Sequence, residues 1–471
     1  MKTLFFITML LAVFAGFLHS QSGSINNTLG TGGSFIIKDG STTFLNLSQS
    51  DGILSLNNSF TFPVTTGSTL GVIFKGTDRF IHDYKPLGKD GFNTFMGVNS
   101  GNFTMTGGNS FSASYNTAVG ISSLTALTSG YMNSAFGVNT LYSNTTGYMN
   151  SAFGFSSLSS NITGICNSGF GHQSLLYNTS SYNSAFGKNS LSANTTGSNN
   201  SAFGYQSLNS NTTGADNSAF GLNSLLNNIT GNANSAFGYY SLDNNTAGND
   251  NSAFGYQALN FTTGNENSAF GVFAGYNLTT GSNNTIIGFN ARSSSDTVSN
   301  EITLGNSNVT NLRCQVTTIT ALSDARDKKN IRDLPLGLDF LMTVKPRLFN
   351  WDRREWYEDG KADGSKMREN PTAGFIAQEL DEVQTKGHAE WLNLVLKSNR
   401  DRLEATPGNL LPIMVKAIQE LKTENEALRN ELVIVRGSIG EQIKKEVRAI
   451  LPKIDQQEEA KAKVSLNETQ N

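Results

Sequence analysis

One serine and one lysine have types and a spacing that could do chemistry. They lie in Ala321-Leu-Ser-Asp-Ala-Arg-Asp-Lys-Lys-Asn-Ile331, where Ser323 precedes Lys328 by five residues. A desolvated lysine loses its proton more readily, and the neutral amine can accept the hydroxyl proton of a serine. The spacing therefore permits a nucleophile and its general base. It equally permits a structural interpretation, in which Ser323 and Asp324 cap a helix whose polar face bears the basic residues.

The composition of the chain changes abruptly at Ser323. Charged residues make up 15% of the 471 residues, and most of them follow this serine, as do all three tryptophans. Helical patterns replace strand patterns at the same point. The sequence therefore predicts a domain boundary between residues 322 and 323.

An internal repeat dominates the region before this boundary. The unit is Asn-Ser-Ala-Phe-Gly or a close variant, recurring every 17 residues and twice after 16. Each unit carries glycine twice and many Asn, Ser and Thr residues, which favour turns over helix interiors. Short strands joined by turns, one coil per unit, predict a β-solenoid with equivalent residues about 4.8 Å apart. The copies start at Asn116, Asn133, Asn150, Asn167, Asn183, Asn200, Asn217, Asn234, Asn251, Asn267 and Asn284.

Two apolar positions recur in each unit, the Phe of the motif and a Leu five residues later. We expect the Phe and Leu columns to form two buried ladders. Two apolar residues per coil make a thin core, so several chains are expected to share it. Over residues 93–290 these units resemble the left-handed β-roll repeats of trimeric autotransporter adhesin heads and of phage tail-fibre shafts.

The C-terminal region carries a second resemblance. Its motifs are Ser-Asp-x-Arg-x-Lys-x-Asn-Ile at 323–331, Gly-Leu-Asp-Phe-Leu at 337–341, Lys-Pro-Arg-Leu-Phe-Asn-Trp at 345–351 and Gly-Phe-Ile-Ala-Gln-Glu-Leu at 374–380, followed by a heptad helix. In order and spacing, residues 321–436 resemble the intramolecular chaperone auto-processing domain. This is the S74 peptidase family of endosialidase tailspikes, other phage fibres and the myelin regulatory factor.

The S74 resemblance implies a Ser–Lys dyad that cuts the chain just before the serine, once trimerisation has assembled the site. Carried over, Ser323 is the nucleophile, Lys328 is the general base and Leu322-Ser323 is the scissile bond. The resemblance implies one turnover in cis, as a self-processing serine peptidase. Three further residues support the motif: Asp324, Arg326 and Asn330. Of these, Asp324 and Arg326 are assigned structural orientation rather than chemistry.

Two residues near or beyond the dyad complicate this assignment. Many family members have an apolar residue before the dyad lysine, whereas this chain has Asp327. A carboxylate there favours the charged amine and so opposes its work as a base. His388 is another acid–base candidate by type, but no partner is evident, so we interpret it as a packing or surface histidine.

The last helix carries its own signal for oligomerisation. Its apolar residues form an a/d seam of about four heptads with one polar a position, Asn425, a residue type that fixes register. The alternative is a core helix of the same domain, although the many charged residues on its other faces favour a partly exposed bundle. The two series are Leu411, Ile418, Asn425 and Leu432, and Met414, Leu421, Leu428 and Val435.

The first residues have the layout of a secretory signal peptide, with Lys2, an apolar run and small residues near a cut at Ser20-Gln21. An uncleaved anchor is the alternative, but the apolar run is shorter than a spanning helix needs. We therefore predict a secreted or extracellular protein, associated with a cell surface or a virion. Two cysteines, Cys166 and Cys314, cannot supply a disulfide framework.

Several functional classes are disfavoured by the composition. The repeats carry few charges and no basic stripe, so nucleic acid is not an expected partner. No metal or cofactor site stands out. A glycan-degrading tailspike would need paired carboxylates, which the repeats lack. An ice- or ligand-binding solenoid is the other alternative, suggested by recurring Thr-Thr pairs that strand propensity already explains.

The predicted fold class is mainly β, with a β-solenoid of 17-residue coils followed by an α-rich (α+β) chaperone domain and a coiled coil. The predicted function is a secreted homotrimeric fibre or adhesin with a cell-surface or glycan receptor. The predicted segments are a signal peptide (1–20), a β-rich region (21–92), the solenoid (93–290), a connector (291–322), the chaperone domain (323–408), the coiled-coil helix (409–436) and a charged, frayed tail (437–471).

Overall fold

The computed structural model describes residues 34–39, 42–48, 53–56, 63–65, 67–313, 315, 321 and 323–468. The predicted signal peptide, Cys314 and residues 316–320 of the predicted connector lie outside the described residues. The chain divides into two compact units, Met1–Asn150 and Ser151–Asn471. The protein is mainly β and contains the predicted solenoid of 17-residue coils.

The first unit contains two antiparallel segments and the first coils. Strands β1 to β3 pair antiparallel, as do β4 to β6, and the pairing becomes parallel from β6 to β8. The strands are β1 Ser34–Asp39, β2 Thr42–Ser48, β3 Leu54–Leu56, β4 Ile73–Lys75, β5 Asp78–His82, β6 Thr94–Met96, β7 Thr117–Val119 and β8 Ser134–Phe136.

The second unit begins with ten three-residue strands that pair in parallel, one per coil. Across most of these pairs serine lies beside serine, alanine beside alanine or glycine, and phenylalanine beside phenylalanine. The repeat motif therefore sets the register. The strands are β9 Ser151–Phe153, β10 Ser168–Phe170, β11 Ser184–Phe186, β12 Ser201–Phe203, β13 Ser218–Phe220, β14 Ser235–Phe237, β15 Ser252–Phe254, β16 Ser268–Phe270, β17 Thr285–Ile287 and β18 Ile302–Leu304.

The core of the coils is built from the Ala and Leu columns, which are fully buried. The prediction that the Leu column is buried is confirmed, but the same prediction for the Phe column is wrong. Phe254 and Phe270 are 36% and 43% exposed, and the other ladder phenylalanines of this unit are partly exposed. The reason is strand alternation: in Ser-Ala-Phe the alanine points inward, so the residues on either side point outward.

Two buried ladders of asparagine side chains satisfy the backbone groups of the turns. In the first ladder, Asn217 Nδ2 donates to the carbonyl of Gly231 (2.8 Å), while Asn217 Oδ1 accepts from the backbone N–H of Asn234 (3.0 Å). In the second, Asn211 Nδ2 donates to Asn194 Oδ1 at 2.8 Å and to Gly214 O at 2.9 Å. Buried polar groups must be paired, so the repeated Asn is structural.

The region after the solenoid has a small core of its own. Its eight buried residues are Phe340, Leu380, Ala389, Leu392, Leu394, Val395, Leu410 and Ile413. Two antiparallel strand pairs, β19 with β20 and β21 with β22, and three helices surround this core. The elements are α1 Leu338–Leu341, β19 Arg347–Phe349, β20 Thr372–Gly374, α2 Ala377–Lys386, β21 Val395–Leu396, β22 Glu404–Ala405 and α3 Leu411–Glu468.

Helix α3 is longer than the sequence predicted. It runs for 58 residues to Glu468, through the segment after residue 436 that we expected to fray. Ile439, Ile443, Val447, Ile450 and Ile454 continue an apolar stripe along this extension, which is otherwise rich in Glu, Lys and Gln, residues that favour helix. None of the described helices is long and apolar enough to cross a membrane.

Candidate functional site

The Ser323 segment is shaped by a short 3-10 turn, Ala325–Asp327, which begins two residues after the serine. Asp324 caps this turn, because its Oδ1 accepts from the backbone N–H of Arg326 at 2.9 Å. The Arg326 guanidinium also folds back onto the same carboxylate, with Nη2 2.6 Å from Oδ2. These bonds to Arg326 lower the pKa of Asp324. The capping role that the sequence allowed for this segment thus falls to the aspartate.

The turn returns Lys328 to the serine. The backbone N–H of Lys328 donates to Ala325 O at 3.2 Å, which closes the turn. The Lys328 side chain then reaches back, so that its Nζ lies 2.5 Å from Ser323 Oγ and 3.3 Å from Ser323 O. The two residues proposed as nucleophile and base therefore touch, at a distance that permits proton transfer between them.

The dyad is open to solvent in the single chain. Ser323 and every residue from there to Asn330 are exposed, and the Arg326 side chain is 88% exposed. The hydrogen bonds that shape the segment join residues two to five positions apart. Leu322, the other side of the expected scissile bond, lies outside the described residues.

The other candidate residues from the sequence lie outside the contact between Ser323 and Lys328. Asp327 is exposed, and among the ion pairs of the described residues none joins it to Lys328. Asn330 has a left-handed backbone (φ 54°), which ends the motif in a turn. His388 is also exposed in a left-handed position, directly after Gly387 at the end of α2. Its exposure agrees with a surface histidine.

Two polar contacts that the sequence did not predict join elements of the region that follows Ser323 and Lys328. The Glu420 carboxylate on α3 accepts from the backbone N–H of Leu338 at 2.6 Å and so caps α1, which starts after Gly337, a residue without a side chain. Arg347 on β19 pairs with Glu379 on α2, Nε to Oε2 at 2.9 Å, and lowers the pKa of that carboxyl. Gly337 at the N-cap of α1 has no side chain to accept from the backbone N–H groups of the helix, so the acceptor must come from elsewhere in the chain. This was the available sequence signal for Glu420.

The heptad seam of α3 does not belong to the core of this region. Among the helix side chains that the structure describes, Ile413 and Ala417 are buried, and with Glu420 they mark the stripe that faces the domain. The seam lies on another face: Leu411, Ile418 and Leu428 are each more than 60% exposed. The sequence left open the alternative that the seam forms part of the core of this domain. The structure shows instead that the seam is exposed.

Comparisons with known proteins relate the region after the solenoid to a known family. No curated protein and no solved structure matched the chain. A family model, Peptidase S74, described as chaperone of endosialidase, matched residues 323–387. The match ends before α3, so the resemblance expected as far as residue 436 is carried by this model only to Gly387. The chain thus carries, after its β-solenoid, a region similar to the S74 chaperone of endosialidase, and the first matched residue is Ser323.

Proposed function

We propose that this protein is a fibre-type structural protein made of three copies of the chain. Its C-terminal region directs their assembly and then cuts the chain once between Leu322 and Ser323. The observation that carries the proposal is the 2.5 Å contact between Lys328 Nζ and Ser323 Oγ, at the first residue of the chaperone match. The β-solenoid and the exposed seam of α3 support the fibre and the assembly of several copies. Chaperones of this family serve extracellular or virion-associated fibres, so we place the protein there.

The cut follows from the positions of the two side chains. The neutral amine of Lys328 accepts the hydroxyl proton, and Ser323 Oγ forms a bond to the carbonyl carbon of Leu322. The C–N bond between Leu322 and Ser323 then breaks, and the amine of Ser323 takes the proton back from Lys328. Water hydrolyses the resulting ester, which leaves a carboxylate on Leu322 and restores the hydroxyl of Ser323.

The solvent exposure of Ser323 and Lys328 supports an order in which assembly precedes the cut. In water an ammonium is strongly hydrated and keeps its proton, so an exposed lysine is a poor base. Neighbouring copies that cover the Ser323 segment would exclude that water, and desolvation in general favours the neutral form of an amine. The cut is thereby coupled to assembly, and a chain that has not assembled stays whole.

The test is expression of the full chain beside the variants Ser323→Ala, Lys328→Arg and Lys329→Ala. Arginine keeps the charge and can donate to Ser323 but cannot accept a proton, so it separates a base from a structural contact. Lys329 is the exposed, equally charged neighbour and serves as the control. We expect two fragments, one starting at Ser323, from the parent and Lys329→Ala, and an intact chain from the other two. An uncut parent, or a fully cut Lys328→Arg chain, would contradict the proposal.

A further inference from the structure

The Phe column of the second unit forms a continuous stack along the outside of the coils. Seven successive ring pairs, from Phe153 to Phe270, have centroids 4.6 to 5.0 Å apart and planes within 9° of parallel. Ile287 continues the column in the next coil and is 43% exposed. The rings cover one another's faces, so it is their edges that meet solvent.

A second apolar column runs beside the first. It lies two residues further along each coil, so the Cα atoms of the two columns are at most about 7 Å apart. His172 and Lys188 are its polar members in this unit, and most of the others are aromatic or aliphatic and about 40% exposed. The apolar members are Phe155, Tyr205, Leu222, Tyr239, Tyr256, Val272 and Phe289. We call the two columns together the aromatic face.

The size of the aromatic face indicates an interface between proteins. An aromatic side chain offers 150–250 Å² of surface, so the exposed parts sum to on the order of 800 Å². This exceeds the largest apolar patch of a typical monomer and equals what one partner contributes to a standard interface. A sugar or base would stack on ring faces, and in the Phe column those faces are already covered.

We propose that the aromatic face is where copies of this chain pack against one another, side by side and parallel. A partner must present apolar groups at the same 4.6 to 5.0 Å interval, and another copy of the same coils does so over the full length. The face carries almost no charge, so it offers nothing by which to select an oppositely charged partner. This inference rests on the proposed assembly of several copies and names the surface that they share.

The test is site-specific crosslinking in the full chain carrying Ser323→Ala, with Cys166 and Cys314 changed to serine. One variant adds Phe203→Cys on the aromatic face, and its matched control adds Thr213→Cys, an exposed position of the same coil outside both columns. Each protein is first sized by sedimentation and then treated with a short bis-maleimide at low protein concentration. We expect both to be oligomers, and only Phe203→Cys to give covalently linked chains on a denaturing gel.

Three other outcomes would overturn the inference. Oligomers in which Thr213→Cys links and Phe203→Cys does not would place the shared surface elsewhere on the coil. Oligomers in which neither position links would confine assembly to α3, leaving the proposed fibre intact and the aromatic face without a role between copies. If both cysteine variants sediment as monomers, the proposed assembly and this inference are both wrong.

Discussion

The solenoid coils and the Ser323 segment satisfy their polar groups in opposite ways. In the coils, asparagine side chains 17 residues apart bond to one another and to the turns, with no exposed surface. In the Ser323 segment every bond is local and every residue is exposed. Each coil is therefore held by hydrogen bonds to the neighbouring coils. The Ser323 segment is held only by its own local hydrogen bonds and is exposed to solvent. A structural part needs the first arrangement, and the second is compatible with the proposed role of the Ser323 segment as a site completed by assembly.

The difference also shows why a periodic shaft needs a non-periodic partner. Sliding one solenoid past another by a single coil would again place Phe beside Phe, so contacts between coils specify register weakly. The region after Ser323 has no such repeat, and α3 carries one Asn in its apolar seam, a device that fixes register. Alignment of the copies is accordingly expected to come from the C-terminal region.

The largest expected effect comes from adding a methyl group inside the coils. In Gly214→Ala the new Cβ would overlap the carbonyl oxygen of Gly231 in the next coil and Asn211 Oδ1. Because backbone cannot move without disturbing the ladders, we expect a loss of about 3 kcal/mol or more in the free energy of unfolding. Gly440→Ala, in open space on α3, is the control and should be neutral or slightly stabilising. Thermal unfolding of both variants measures this, and equal melting temperatures would contradict the close packing of the coils.

A somewhat smaller loss is expected from removing one asparagine of the ladder. Asn217→Ala leaves the N–H of Asn234 buried without its acceptor and removes one of the two side-chain donors to the carbonyl of Gly231. Unpaired buried groups of this kind cost about 1–3 kcal/mol each, less whatever water can reach them. Thr213→Ala, which removes an exposed polar side chain at a position with ordinary backbone angles, should change stability much less. Denaturant unfolding compares the two, and similar midpoints would mean that the ladder contributes little.

Asp243 is a half-buried carboxylate in the coils, and one of its oxygens has no hydrogen-bond partner. Its Oδ1 is buried without a hydrogen-bond partner, and burial raises the pKa of its carboxyl to about 6. The folded coil therefore holds a proton that the unfolded chain loses near pH 4, so this group makes stability fall as pH rises from about 4 to 6 and leaves it constant above.

Asp243→Asn removes this penalty, and the exposed Asp250→Asn is its control. At pH 7.5 we expect the asparagine variant to gain about 1 kcal/mol, a figure reduced for the partial access of solvent. At pH 4 the gain should vanish, because the parent carboxyl is then protonated as well. Melting temperatures at the two pH values give the answer. A gain that is the same at both would show that packing, rather than charge, is responsible.

Much of the fold could be predicted from the sequence, because the repeat fixes one coil per 17 residues and the motifs after Ser323 fix the domain. The exposure of the Phe column could not be predicted, because the hydrophobicity of Phe favours a buried position. The structure shows that Ala, at the centre of each three-residue strand, is the residue that points inward. The pairing of Ser323 with Lys328 came from spacing and resemblance. For Glu420, the glycine at the N-cap of α1 indicates only that an acceptor is needed, and the contact across 82 residues that makes Glu420 the acceptor is not encoded locally. The length of α3 was underestimated because the apolar stripe shifts after Ile439. The next heptad position is Gln442 and the apolar residue is Ile443, so the heptad count breaks although the helix continues.

The smallest expected effect on stability comes from Asp324→Ala. Asp324 and Arg326 are exposed and bond to each other, so the free energy of unfolding should not change measurably. The turn that returns Lys328 to Ser323 would lose its cap, however, and the two side chains would meet less often. We therefore expect slower cutting, followed as the fraction of chain cleaved with time, at an unchanged melting temperature. Asp327→Ala, which alters the neighbouring exposed carboxylate but not the cap, is the matched control and should cut at least as fast as the parent. Equal rates for the parent and Asp324→Ala would show that the turn needs no cap to position the dyad, and the orienting role assigned to this residue would be withdrawn.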